Sequence, residues 1–165
     1  QSLARTAGPS TRLSAVRVLI IEDDPAIAAN LYVFLEARGE HIFSVVMTTS
    51  NHKPFTFPGG VPGVPSSGGG REAGVRYADY AIGRLIEALQ TRPWFSDTLV
   101  VVVADHGARV YGREEIPVQS YEIPFLVYSP SHIAPRRVDT VVSQLDVAPT
   151  VLGLVNFSDE STFFG

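Results

Sequence analysis

The sequence Thr-Leu-Val-Val-Val-Val-Ala-Asp-His-Gly, residues 98 to 107, decides the fold of this chain. It is rich in β-branched side chains and has no charged residue before Asp105, which is typical of a strand buried on both faces of a parallel sheet. Asp105 and His106 would then follow the carboxyl end of that strand, where open α/β sheets bind ligands. Gly107 allows the backbone to turn tightly beneath them. The alternative interpretation is structural, with Asp105 capping a helix and His106 solvated.

The residues before this strand predict a helix and a second strand. Between Arg71 and Arg92, apolar residues recur at spacings of three and four, and Pro93 ends the pattern. The predicted apolar stripe consists of Val75, Ala78, Ile82, Leu85, Ile86 and Leu89. Ile42 to Met47 predicts a strand, so strand, helix and strand would form a parallel crossover. Phe57 to Gly70 is rich in Gly, Pro and Ser, which predicts a flexible surface loop.

The residues after the Asp-His-Gly turn predict shorter elements. Ala108 to Ser120 is polar and irregular, and Ile123 to Tyr128 predicts a short strand between two prolines. Val138 to Val142 is predicted to be extended as well. Asp146 to Thr150 has a capping acid and an early proline, which predicts the start of a helix.

The N-terminal residues divide into a leader and an acidic segment. Residues 1–15 have no periodicity and are predicted to be a disordered leader. Residues 16–40 predict a strand that ends in Glu22, Asp23 and Asp24, followed by a helix that Gly39 closes. This segment resembles the opening of a bacterial response-regulator receiver domain, in which such acids help to hold Mg²⁺. The alternative is that the three acids act only as helix caps and helix-dipole partners.

Composition limits the class of protein. With 165 residues, 45% of them hydrophobic, the chain is long enough for one globular domain. Its net charge of −4 and only 13 Lys and Arg residues make nucleic acid an unsuitable partner. Cysteine is absent, so His and carboxylate groups are the available metal ligands. No apolar run approaches the roughly 20 residues of a membrane span, and we predict no span in this chain.

Five ordered sequence blocks carry a longer resemblance. They are Thr48-Thr49-Ser50-Asn51-His52-Lys53-Pro54-Phe55, Tyr77-Ala78-Asp79-Tyr80-Ala81-Ile82-Gly83-Arg84, Val103-Ala104-Asp105-His106-Gly107-Ala108-Arg109, Tyr121-Glu122-Ile123-Pro124 and Asp146-Val147-Ala148-Pro149-Thr150. Together they look like the C-terminal half of a sulfatase-like catalytic domain, in the lipoteichoic acid synthase or phosphoglycerol transferase branch of the alkaline phosphatase superfamily. The resemblance covers residues 41–165. It implies an α/β fold with three αβα layers and a mostly parallel sheet.

The resemblance also implies roles for three residues. Asp105 and His106 match a metal-binding pair, with Mn²⁺ favoured and Ca²⁺ or Mg²⁺ as alternatives, and His52 matches a histidine that contacts the phosphate or sulfate of the substrate. A metal ion polarises an anionic ester, and an imidazole can hydrogen-bond its oxygens. The family's nucleophile lies upstream of these blocks and no residue here matches it, so no catalytic nucleophile is assigned.

The predicted function is therefore metal-dependent phosphoglycerol transfer or phosphate- or sulfate-ester hydrolysis by an incomplete site. The resemblance implies an ester substrate, such as a glycerophospholipid headgroup, and a location at the extracytoplasmic face of a bacterial membrane. Two alternatives remain open. One is a receiver-like, Mg²⁺-binding signalling module based on Glu22, Asp23 and Asp24, and the other is an inactive fusion product or fragment.

Overall fold

The computed structural model describes the backbone of residues 17–20 and describes residues 42–65, 69–107 and 117–157 in full. The predicted leader, the acidic residues Glu22, Asp23 and Asp24, the helix predicted after them and residues 108–116 lie outside the described residues.

Four strands of the described chain form one sheet. Strands β1 (Arg17–Ile20), β2 (Ile42–Val45), β3 (Thr98–Val103) and β4 (Phe125–Tyr128) lie in the order β2-β1-β3-β4. β1 pairs in parallel with both β2 and β3, whereas β4 pairs antiparallel with β3. The predicted mostly parallel sheet is therefore confirmed, and the carboxyl ends of β1, β2 and β3 lie along one edge.

Helix α1 (Gly70–Gln90) packs on one face of the sheet. Its residues Leu85 and Leu89 form a buried cluster with Val100 of β3 and with Phe95, which lies in the 3₁₀ helix Pro93–Asp97. The predicted stripe was wrong at Val75, whose exposed fraction is 51%. The buried face instead contains small residues and a tyrosine that a search for large aliphatic side chains misses, namely Ala73, Gly74, Tyr77 and Ala81.

Helix α2 (Val147–Leu154) packs on the opposite face. Its Val151 contacts a cluster that includes Leu99 and Val101 of β3, the residues that flank Val100 along the strand. Because successive strand residues point to opposite faces, β3 is covered by α1 on one side and by α2 on the other. The predicted three-layer αβα arrangement is therefore confirmed in the described part of the chain.

Two connecting segments contain no helix or strand in their described residues. Val138 to Val142 forms no strand, and Val141 has an exposed fraction of 96%, because this segment has no strand partner in the described sheet. The loop that begins at Phe57 is anchored by that residue, which is 8% exposed and stacks on Tyr77 of α1 with ring centroids 4.6 Å apart. The Gly- and Pro-rich segment is therefore attached to α1 at Phe57.

The predicted helix start at Asp146 was correct in position, but the acid acts differently from the prediction. Asp146 does not cap α2 with its side chain and instead accepts a 2.7 Å hydrogen bond from the backbone N–H of Ser143. This bond closes a capping box on the short 3₁₀ helix Gln144–Asp146, which leads directly into α2. Among the helices in the described ranges, none combines the length and apolar character needed to cross a membrane.

Candidate functional site

Asp105 and His106 follow β3 at the carboxyl edge of the sheet, as predicted, and both side chains are exposed. The backbone N–H of His106 donates to Asp105 Oδ1 at 2.8 Å. His106 Nδ1 lies 2.9 Å from the carbonyl oxygen of Gly107. Because a carbonyl oxygen can only accept, Nδ1 is the protonated nitrogen, and the neutral ring has a free lone pair on Nε2.

The two side chains together offer two metal-ligand atoms. His106 Nε2 lies 3.7 Å from Asp105 Oδ2. One divalent ion can contact both atoms at this separation, since metal–ligand distances in proteins are about 2.0–2.6 Å. The donor set, one carboxylate oxygen and one imidazole nitrogen, also suits Mn²⁺ or Zn²⁺, whereas Ca²⁺ and Mg²⁺ prefer oxygen. The described residues thus fit the predicted ion, although they contain no group of three or more His, Asp or Glu side chains that could hold it.

Gly107 brings this turn into close contact with a later segment. A Cβ atom on Gly107 would collide with the carbonyl oxygen of Ser120 and would lie 3.1 Å from that of Glu122. Only glycine therefore permits this approach of the Asp-His-Gly turn to the 3₁₀ helix Val118–Ser120 and the residues that follow it.

The amide of Gln144 also contacts the turn, which the sequence did not predict. Its Nε2 donates to the carbonyl oxygens of Ala104, at 3.2 Å, and Asp105, at 2.5 Å. Gln144 lies 39 residues beyond Asp105, so no local pattern could have connected the two. The one available signal is its position two residues before the Asp146-Val-Ala-Pro-Thr motif.

His52 lies on a separate turn beyond β2. Its backbone N–H donates to the carbonyl of Thr49 at 3.0 Å, and its Nδ1 lies 2.8 Å from the carbonyl oxygen of Lys53. Its Nε2 is therefore the nitrogen available to a ligand, as in His106. The preceding residues, Ser50 and Asn51, lie against Gly74 of α1, where a Cβ atom would be 2.9 Å from the Ser50 carbonyl oxygen. This close contact seats the turn on the helix.

The sheet topology relates the two histidine-bearing turns. β2 and β3 are both parallel to β1 and lie on either side of it, so their carboxyl ends are separated by two strand spacings, or about 10 Å. The structure brings Asp105 and His106 together. It places His52 after a strand that ends at the same edge.

Comparison of the sequence with known proteins finds sulfatases. A sequence model of the sulfatase family matches residues 20–157. An endo-4-O-sulfatase of Bacteroides thetaiotaomicron is 38% identical over 93 residues, which are 53% of this chain and 18% of that protein. A choline-sulfatase of Rhizobium meliloti is 31% identical over 93 residues, again 53% of this chain and 18% of that protein. The matched 93 residues of the chain thus span less than a fifth of the length of these curated relatives.

Solved structures resemble a larger share of the chain. A protein in the alkaline phosphatase superfamily from Vibrio parahaemolyticus is 33% identical with a TM-score of 0.69, covering 79% of this chain and 32% of its own. The structure of Ps i-CgsB in complex with a neocarrahexaose has a TM-score of 0.60 at 24% identity, covering 82% of this chain and 34% of its own, and at that identity it supports the fold alone.

Proposed function

Because this chain belongs to the sulfatase family, we propose that it contributes to the hydrolysis of sulfate esters, with Asp105 and His106 as ligands of a divalent metal ion. The observation that carries this proposal is the 3.7 Å separation between the free Nε2 of His106 and Oδ2 of Asp105 at the carboxyl edge of the sheet. Open α/β sheets bind their ligands at that edge.

The residues of this chain have distinct tasks in the proposed reaction. A bound divalent ion would polarise the ester and stabilise negative charge on the group being transferred. Asp105 supplies a charged oxygen ligand, and the bond from His106 Nδ1 to the Gly107 carbonyl holds the imidazole in the tautomer that binds metal through Nε2. His52 would contact a sulfate oxygen through Nε2, while its Nδ1 remains bound to the Lys53 carbonyl.

The choice of a sulfate ester follows from the names of the relatives, which include an endo-4-O-sulfatase and a choline-sulfatase. Phosphoglycerol transfer to or from a glycerophospholipid headgroup, an extracytoplasmic location and the preference for Mn²⁺ rest on the sequence motifs alone and stay predictions. The receiver-like Mg²⁺ site at Glu22, Asp23 and Asp24 also stays a prediction.

We expect the chain to bind Mn²⁺ weakly, and Asp105→Ala or His106→Ala to reduce that affinity at least about tenfold. Two protein ligands hold an ion less firmly than the three or four of a complete site, so losing either one removes much of the binding. Isothermal titration calorimetry with Mn²⁺, Ca²⁺ and Mg²⁺ would measure the affinities. Asp139→Ala is the matched control, because Asp139 is an exposed aspartate whose carboxylate pairs with Arg137.

Binding that survives both substitutions would contradict the assignment of the metal to Asp105 and His106. If a triple alanine substitution of Glu22, Asp23 and Asp24 then removed it, the ion would belong to the acidic segment and the receiver-like interpretation would be favoured.

We expect the 165-residue chain to hydrolyse an aryl sulfate slowly at most, and Asp105→Ala to abolish whatever metal-dependent turnover there is. Catalytic groups that act as a unit are strongly non-additive, and no residue of this chain is assigned as nucleophile. Release of 4-nitrophenol from its sulfate ester, in parallel with a 4-nitrophenyl phosphodiester, would measure this. Turnover of the phosphodiester without the sulfate would contradict the sulfate-ester proposal and favour phosphoryl transfer.

A further inference from the structure

We propose that Gln144 is a positioning residue that holds the Asp105-His106 turn in the geometry required to bind the metal ion. This inference rests on the metal site of the proposed function. It starts from the two hydrogen bonds that Gln144 Nε2 donates, to the carbonyl oxygens of Ala104 and Asp105. Both acceptors are backbone carbonyls, so only the amide nitrogen of glutamine can satisfy them, with one hydrogen for each.

The second of these bonds fixes a peptide group that the metal ligands share. The carbonyl of Asp105 and the N–H of His106 belong to one planar peptide unit. Gln144 holds the oxygen of that unit, and Asp105 Oδ1 accepts from its N–H at 2.8 Å. The unit is thus held at both ends, which restrains the directions in which the Asp105 and His106 side chains leave the backbone.

The backbone that carries Gln144 is held by its own hydrogen bonds. Ser143, the residue before the 3₁₀ helix, and Asp146, the last residue of that helix, form a capping box, and the Ser143 hydroxyl accepts from the Leu145 N–H at 3.2 Å. This short helix continues into α2, whose Val151 packs against Leu99 and Val101 of β3. The glutamine and the turn that it contacts are therefore both anchored to β3.

The position of the two Gln144 hydrogen bonds indicates more than a contribution to stability. Gln144 is exposed, so it contributes little apolar packing, and its two bonds converge on the backbone of a single ligand residue and its neighbour. Groups that orient metal ligands without touching the ion typically change metal affinity about 10- to 100-fold when they are removed. Loss of the Gln144 amide should therefore weaken metal binding while the fold is retained.

The test compares Gln144→Met with Gln90→Met in the 165-residue chain. Methionine is similar in length to glutamine and uncharged, but it has no N–H donor. Gln90 is the matched control, because its Nε2 also donates one long-range hydrogen bond, to Tyr128 Oη at 2.9 Å. Calorimetric titration with Mn²⁺ should show about tenfold weaker binding for Gln144→Met and wild-type affinity for Gln90→Met. Gln144→Asn, which keeps the donors on a shorter side chain, should give an intermediate loss.

The outcomes separate this inference from the proposed function. If Asp105→Ala weakens binding but Gln144→Met and Gln144→Asn do not, the positioning role is overturned and the metal site stands. If Gln90→Met weakens binding as much as Gln144→Met, the effect is a general one and the positioning role is also overturned. If the wild-type chain binds no Mn²⁺, or binds it independently of Asp105, the metal site fails and this inference fails with it.

Discussion

Replacing Gly107 by alanine is expected to destabilise the fold by about 2 kcal/mol or more and to weaken metal binding at Asp105 and His106. The added Cβ atom would collide with the backbone carbonyl oxygen of Ser120, and a backbone atom cannot rotate away as a flexible side chain can. To relieve this collision, either the Asp-His-Gly turn or the backbone around Ser120 must move. Urea denaturation would measure the stability, and calorimetry with Mn²⁺ would measure the binding.

Gly59→Ala is the control for this substitution. Gly59 also lies in an irregular segment, but a Cβ atom there would meet nothing within 4 Å. We expect Gly59→Ala to leave the free energy of unfolding within about 0.5 kcal/mol of the wild type, as is usual for surface substitutions. Equal stability of the two variants would show that the turn does not approach Ser120 as described.

Truncating Leu99 to alanine is expected to reduce the free energy of unfolding by about 2–5 kcal/mol. Leu99 lies on β3, is 1% exposed and forms a buried cluster with Val101 of the same strand and Val151 of α2. The substitution removes apolar contacts and leaves a cavity that the neighbouring side chains fill only in part. Thermal or urea denaturation followed by circular dichroism would measure the loss.

Leu126→Ala tests whether burial accounts for this effect. Leu126 lies on β4, in the same sheet, but its exposed fraction is 57%. The same chemical change there should cost less than about 1 kcal/mol, because a partly exposed side chain loses fewer contacts. A comparable loss for both variants would contradict the packing of α2 on β3.

Much of the architecture could be predicted from the sequence, because the strongest signals were long and apolar. The valine run of β3 identified a strand buried on two faces, and the helices on its opposite sides confirm this. The ordered motifs predicted the sulfatase-like, alkaline phosphatase superfamily membership, which is confirmed by the match over residues 20–157 and by the Vibrio structure.

The features that the sequence analysis missed or misplaced depend on tertiary contacts. The apolar stripe of α1 was predicted from large aliphatic residues and therefore included Val75, which is exposed. The buried face of the helix contains Tyr77 and small alanines instead. Phe57 anchors a loop whose composition indicated flexibility, since its partner Tyr77 is 20 residues away. Gln144 was not predicted because a hydrogen bond to a distant backbone carbonyl leaves no periodicity or local motif.

The strand that precedes Asp105 and His106 is held at its other end by hydrogen bonds from two hydroxyl groups. Because β3 is apolar on both faces, a shift of one residue against β4 would still leave valines on both faces of the strand. At the start of β3, specific hydrogen bonds favour one register. Thr98 Oγ1 donates to the Trp94 carbonyl at 3.1 Å, and Ser129 Oγ donates to the Thr98 carbonyl at 2.8 Å.

A shift of β3 against β4 would break the buried bond from Ser129 to Thr98. Such a shift would also move the turn that contains Asp105 and His106 relative to β4. The bond from Thr98 to Trp94 is local and ties the start of β3 to the preceding 3₁₀ helix. The polar side chains at the carboxyl end of β3 are therefore those of Asp105 and His106, whereas the alignment of β3 with β4 is held by Thr98 and Ser129 at the other end of the strand.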